Sequence, residues 1–203
     1  MARPVTDTRT ALLEAAIEII DETGESGFRI DAVLSRVGVA STAIYHHFGS
    51  RDDLIDSANA ERYLRTLYVF DHPALVAAIA DCPSKAEFEQ LVRAQLAYSK
   101  SPEAMARRRI RVSVLGSAAS RPSLAAKVSE ANATYAREMA SAFRVAQERG
   151  WIPADADLEA TAMWQIGQST GRFMVELGDP PCDLDAWKDV EARAVFGVVV
   201  ADD

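Results

Sequence analysis

The stretch Gly24–Leu54, GESGFRIDAVLSRVGVASTAIYHHFGSRDDL, decides the fold. Ile30 to Val37 carries Val33, Leu34 and Val37 at helical spacing. Gly38 follows, where a turn needs a positive φ that costs little only for glycine. Ser41 to His47 predicts a second short helix, in which Ile44 and Phe48, four apart, face inward. Gly49-Ser50 then opens a third, with Ser50 and Asp53 spaced as a capping box. Short helices joined by a tight glycine turn form the layout of a helix-turn-helix, which can place one helix in the DNA major groove.

Working outward, nearly every other segment has helical period. A first helix is expected from about Thr8 to Thr23, with Leu13, Ile17 and Ile20 on one face beside Leu12 and Ala16, and Gly24 and Gly27 breaking it. The helix opened at Ser50 is expected to reach about Val69. Pro73 and Pro83 punctuate a weaker region, Ala74 to Ala80. Helices then follow over Lys85–Ser99, Glu103–Ala118, Pro122–Arg149, Leu158–Leu177 and Leu184–Val200, with Pro102 and Pro122 where first-turn prolines belong. The expectation is an all-α chain: a helix-turn-helix domain over residues 1–52 and a larger helical domain over residues 53–203.

Composition narrows the function. The chain has 203 residues, 49% of them hydrophobic, enough for one or two domains with a real core. The longest apolar run, Ala194 to Ala201, falls far short of the roughly 18 residues of a membrane span. Asp7, Glu14 and Glu18 interrupt the N-terminal apolar residues and argue against a signal peptide, so a cytoplasmic location is expected. Cys82 and Cys182, far apart in sequence, are expected as reduced thiols. There is no glycine-rich phosphate loop and no metal spacing, and adjacent His46 and His47 cannot both face one ion; neither enzyme activity, metal nor cofactor is expected. The net charge of −8 argues against indiscriminate binding to nucleic acid. Over residues 1–54, five basic residues stand against nine acidic ones, a balance of −4. Glu14, Glu18, Asp21 and Glu22 share one face of the first helix, which is expected to lie away from DNA. Affinity for DNA should be modest and salt-sensitive.

Geometry divides the labour within the motif. Ser41 and Thr42 open the second of the short helices, where side chains and free backbone N–H groups can face DNA. Tyr45 and His46 lie one turn on, and Arg51 can neutralise a phosphate.

Gly38-Val39, Ile44-Tyr45-His46-His47-Phe48 and Ser50-Arg51, followed by Leu54, resemble the signature of the tetracycline-repressor-like (TetR/AcrR) transcriptional regulators. The resemblance implies a three-helix DNA-binding domain followed by a larger helical domain that binds a small effector and dimerises. It implies that Tyr45 touches phosphate, that His46 and His47 occupy the polar positions after it, and that Arg51 stands for the family's basic residue at the start of the next helix. It places base reading on Ser41, Thr42 and Ala43, and Arg29 at a phosphate-contacting position usually held by a small hydroxyl residue. Ala40 departs from the serine that often caps this helix, so Ser41 is expected to cap instead. The recognition helix has no Lys or Arg, so an arginine–guanine pairing is not available from it.

The C-terminal part is read from pattern. The segment Leu158–Leu177 is apolar on several faces, and a surface helix needs only one. Met163, Gly167 and Met174, with Trp187, Val190, Ala194 and Val198 of the last helix, are the candidate homodimer surface. Tyr98, Met139, Phe143, Trp164 and Gln168 are candidates to line a cavity for a small apolar or amphipathic effector. Arg107, Arg108, Arg109 and Arg111 are expected to be mainly solvated, with an anionic effector as the other option. The expected function is a one-component regulator, a repressor, holding a palindromic double-stranded DNA operator as a homodimer, with no membrane partner. The alternatives are a regulator responding to oxidation of Cys82 and Cys182, and a helical interaction module or enzyme with an incidental helix-turn-helix.

Overall fold

The computed structural model describes residues 7–68 and 72–201. All regular elements among them are helical: α1 Thr8–Gly27, α2 Ile30–Val37, α3 Thr42–Phe48, α4 Arg51–Leu67, α5 His72–Asp81, α6 Lys85–Tyr98, α7 Pro102–Ala118, α8 Pro122–Glu148, α9 Leu158–Gly171 and α10 Leu184–Val199, with a 3-10 turn over Arg172–Glu176. Two compact units emerge. One runs to Arg65 and takes in Val114–Ser129; the other comprises Thr66–Ser113 and the chain from Glu130 onward.

The first unit is built on one apolar core. Leu12, Ala16, Ile19 and Ile20 of α1 pack with Phe28, Val33, Ile44, Leu54, Ile55 and Ala58, all buried. Each large aliphatic or aromatic member contributes about 1.5–3 kcal/mol relative to exposure. Gly24 breaks α1 as expected, with φ 72° and ψ 167°, after which a short turn resumes as far as Gly27. Gly38 takes the left-handed conformation, φ 77° and ψ 36°, and its N–H closes α2 on the Leu34 carbonyl at 2.8 Å. Ser50 caps α4: its hydroxyl accepts from the Asp53 N–H at 3.0 Å and donates to the Asp53 carboxylate at 2.9 Å. The expected end of this helix, Val69, lies outside the described residues.

Ser41 does not cap α3. It already has helical dihedrals, φ −57° and ψ −28°, and makes no side-chain cap bond. A capping side chain reaches the first turn from an extended backbone, which Ser41 lacks. The turn closes through the backbone instead, with Ala43 N–H donating to the Ala40 carbonyl at 3.0 Å and Ile44 N–H to the Ser41 carbonyl at 3.1 Å.

An ion cluster completes this unit. The Arg121 guanidinium, just before α8, donates to the carboxylates of Glu25 and Asp56, and Ser123 donates to Asp56 as well. Asp56 is buried. Asn59 donates to Glu25 at 2.8 Å.

In the second unit the weaker region is a helix. Arg149 closes α5 by donating to the carbonyls of Cys82 (2.9 Å) and Ala80 (2.8 Å), a cation at a helix C-terminus. The expected continuous helix Leu158–Leu177 is overturned, because α9 ends at Gly171 and tightens into the 3-10 turn. That turn brings Arg172 and Glu176 inward. Arg172 donates to Glu176 (3.0 Å) and Glu191 (2.6 Å), and Arg108 donates to Glu176 (2.9 Å) and to the Ser99 carbonyl (2.8 Å). The expectation that the arginine run of α7 is solvated therefore fails for Arg108 and Arg111, both buried; only Arg109 is exposed, while Arg107 donates to the Tyr68 carbonyl. Buried cations need such partners, since an unpaired one is too costly to desolvate.

Candidate nucleic-acid interface and ligand cavity

α3 is anchored by one side and open on the other. Ile44 is fully buried and Phe48 packs against the same core, which fixes the helix angle. Tyr45, next along the helix and so about 100° away round its axis, is 67% exposed. Ser41, Thr42 and His46 are exposed, while Ala43 and His47 are half-buried, Ala43 against the core. The two imidazoles meet edge to face, with centroids 4.8 Å apart. No hydrogen bond to the protein engages the hydroxyls of Ser41 and Thr42 among the described residues, so they remain available as donors and acceptors.

The structure brings together two side chains that the sequence could only name separately. Arg29 donates to the Phe28 carbonyl at 3.1 Å, and Arg51 donates to that same oxygen at 3.4 Å. Arg51 also lies over the Phe28 ring, at 5.4 Å, and pairs with exposed Asp52 at 3.2 Å. Arg29 is exposed and, among the described residues, bonds only the carbonyls of Phe28 and Ser26. Two guanidiniums sharing one acceptor concentrate positive charge where a phosphate oxygen would be well received. Arg9 was missed by the sequence reading: its guanidinium sits over the Phe48 ring at 5.1 Å, bringing a further cation to the end of α3. An arginine in the first turn of α1 carries no signal of that placement.

The acidic face of α1 is largely neutralised. Glu18 and Glu22 bind Arg36 of α2, Asp21 binds Arg62, and Glu14 binds Arg65. The hydrogen bond from Arg36 holds the Glu22 carboxyl below its ordinary pKa.

The second unit holds a half-open cavity of about 280 Å³. Its wall is mostly apolar, with Leu75, Ile79, Phe88 and Val195 beside Met139, Phe143 and Gln168; these last three are effector candidates, and the other two, Tyr98 and Trp164, are half-buried outside the wall. Arg111, offered by the sequence for an anionic effector only as the second option, also lines it, as do Tyr135, Gln165 and Glu191, which the sequence reading passed over. Arg111 is oriented by Thr66, through its hydroxyl at 3.2 Å and its carbonyl at 2.7 Å, and by the Thr170 hydroxyl at 3.0 Å.

Of the candidate dimer residues, Met174 is 76% and Val190 56% exposed; Val198, Ala194 and Gly167 are exposed too, and Met163 and Trp187 are half-buried. The indole N–H of Trp187 is buried and has no acceptor among the described residues. Both cysteines are free thiols. Cys82 is buried, donates to the Ala78 carbonyl at 3.2 Å, and has its pKa pushed up mainly by burial, which disfavours the reactive thiolate. No group of metal-binding side chains occurs among the described residues, and none of their helices is long and apolar enough to cross a membrane.

Comparison with known proteins converges on one family. Residues 12–58, which span α1 to the first half of α4, match the profile of the bacterial regulatory proteins of the tetR family. The HTH-type transcriptional regulator UidR of Escherichia coli (strain K12) is 27% identical over 155 residues, 76% of this chain and 74% of that protein. A TetR-family transcriptional regulator from Rhodococcus sp. superposes with a TM-score of 0.62 at 22% identity, covering 94% of this chain and 97% of that one. A transcriptional regulator from Saccharomonospora viridis, solved in complex with choline, superposes with a TM-score of 0.60 at 20% identity, covering 96% and 98%. At these identities the two structures speak for the fold, an N-terminal helix-turn-helix followed by a larger helical part. The exposed α3 is carried on the three-helix head that matches this profile, and that head is similar to the helix-turn-helix, DNA-binding heads of the tetR-family regulators.

Proposed function

We propose that the protein is a homodimeric repressor that holds a palindromic double-stranded DNA operator and is released by a small apolar or amphipathic effector. Residues 1–52 engage DNA, and residues 53–203 bind the effector and dimerise. The observation that carries the proposal is the outer face of α3, where Tyr45 stands in solvent and the hydroxyls of Ser41 and Thr42 are unengaged, together with the convergence of Arg29 and Arg51 on the Phe28 carbonyl. Arg29, Tyr45 and Arg51 hold phosphates, while Ser41, Thr42, Ala43, His46 and His47 meet base edges. With no guanidinium or ammonium on α3, base preference comes from hydroxyls, imidazole, apolar contact with thymine methyls and DNA shape.

Two copies of α3 would enter successive major grooves, about 34–36 Å or a multiple apart. Exposed Met174, Val190, Ala194 and Val198 favour a second copy as the partner that covers them. The apolar cavity supports an effector, and linkage requires that effector and operator weaken each other's binding by the same factor. Gel-shift titration against the DNA flanking its own gene tests the proposal. Saturable binding as a dimer is expected, lost in a folded Tyr45→Ala variant. Binding that survives that change, or a monomer at every concentration, refutes it.

A further inference from the structure

Resting on the effector cavity proposed above, we infer that its ligand is an uncharged amphipathic molecule. Its amide- or hydroxyl-type head meets Gln165 and Gln168, with Ser169 beside them, and its apolar body lies against Ile79, Phe88, Met139 and Phe143. Gln165, Gln168 and Ser169 stand at helical spacing on one face of α9, and all three line the cavity. They are half-buried, and no hydrogen bond to the protein engages their side chains among the described residues. Each is uncharged and can both donate and accept. A carboxamide or hydroxyl head offers the same two capacities.

The charges of the described wall are already committed. Each nitrogen of the Arg111 guanidinium donates within the protein: Nε to the Thr66 hydroxyl at 3.2 Å, Nη1 to the Thr170 hydroxyl at 3.0 Å and Nη2 to the Thr66 carbonyl at 2.7 Å. Arg172 holds Glu191 at 2.6 Å. The His72 ring meets the Glu138 carbonyl at 2.8 Å and the Ser141 hydroxyl at 3.2 Å. A charged ligand would therefore leave water without gaining a free counter-charge from these side chains. Burying an ion unpaired costs far more than burying a hydrogen-bonded amide. An uncharged head loses less on leaving water and finds its partners on α9. The volume of about 280 Å³ lies near the lower end of ligand cavities, about 300–1,000 Å³, which keeps the ligand small.

Calorimetric titration of the full chain at neutral pH with three probes of one shape tests the inference: 4-phenylbutanamide, the anion 4-phenylbutyrate and the cation 4-phenylbutylamine. The amide is expected to bind about tenfold or more tightly than either ion. Gln165→Leu and Gln168→Leu should each weaken amide binding about fivefold, the worth of one neutral hydrogen bond, and leave both ions as weak as before. If a variant does not fold, the three-probe comparison on the unaltered protein still decides. Either ion binding as tightly as the amide overturns the inference and leaves the cavity as an effector site. Amide affinity unchanged in folded Gln165→Leu and Gln168→Leu also overturns it. If no probe binds at about 10 mM, the cavity proposal falls and the inference with it.

Discussion

Replacing Arg121 with alanine isolates the ion cluster of the first unit. Asp56, whose side chain is 4% exposed, receives hydrogen bonds from Arg121 and Ser123, and Glu25 receives them from Arg121 and Asn59. Without Arg121, a buried carboxylate is left with one hydroxyl donor. Breaking a buried pair from one side costs about 3–5 kcal/mol. Arg121 and Glu25 are themselves partly hydrated, with side chains 26% and 36% exposed, so water recovers some of that loss. The expected cost lies at the low end, about 3 kcal/mol. With a urea slope of about 1–3 kcal/mol per molar, the unfolding midpoint read by circular dichroism should fall by roughly 1–3 M. Adding Asp56→Asn to Arg121→Ala removes the stranded charge and should recover about 1–2 kcal/mol. A loss below about 0.5 kcal/mol for Arg121→Ala, the range of ordinary surface changes, would refute the reasoning.

Three further outcomes are expected. Arg29→Ala and Arg51→Ala should each reduce the slope of log affinity against log salt by about one, with similar losses on every DNA sequence; an unchanged slope would mean that neither touches phosphate. Phe143→Ala should lower stability in thermal unfolding by about 3 kcal/mol, the low end for a buried phenylalanine, because the side chain already borders empty space; a change within about 0.5 kcal/mol would contradict its place in the wall. Glu22 has its folded pKa depressed by Arg36, so its contribution is present above the ordinary value of 4.5 and is lost as pH falls through the folded value. Arg36→Met should therefore be less stable than the parent at neutral pH, and the two should converge as acid is added; a constant difference down to pH about 2 would remove the ion pair from the explanation.

The local features of the head were legible in its sequence. The Gly38 turn, the inward Ile44 and the Ser50–Asp53 cap each follow from residues within a few positions of one another. Long-range pairings were not. The acids of α1 look like a burden to DNA binding when residues 1–54 are counted alone, yet Glu14 and Asp21 are answered by Arg65 and Arg62, beyond that window. Arg108 and Arg111 looked like part of a solvated run because helical period says nothing of the distant acceptors that hold them inside, Glu176 for Arg108 and Thr66 and Thr170 for Arg111. The segment after Gly171 carries apolar residues at helical spacing, but the inward pull of Arg172 and Glu176 on a buried ion network tightens it instead. The convergence of Arg29 and Arg51 on one carbonyl was equally invisible, since it depends on how α4 leaves α3. In the cavity, the hydrophobic candidates Met139 and Phe143 followed from pattern, whereas Arg111 and Tyr135 depend on which face of α7 and α8 turns inward.

The cations that flank α3 sit on other elements: Arg29 ahead of α2, Arg51 opening α4 and Arg9 on α1. Under the proposed function, grip and discrimination fall to different side chains. Point changes at Ser41 or Thr42 can alter the favoured site while the electrostatic hold persists, so an ancestral protein of this build could migrate between operators without passing through a form that has lost DNA altogether.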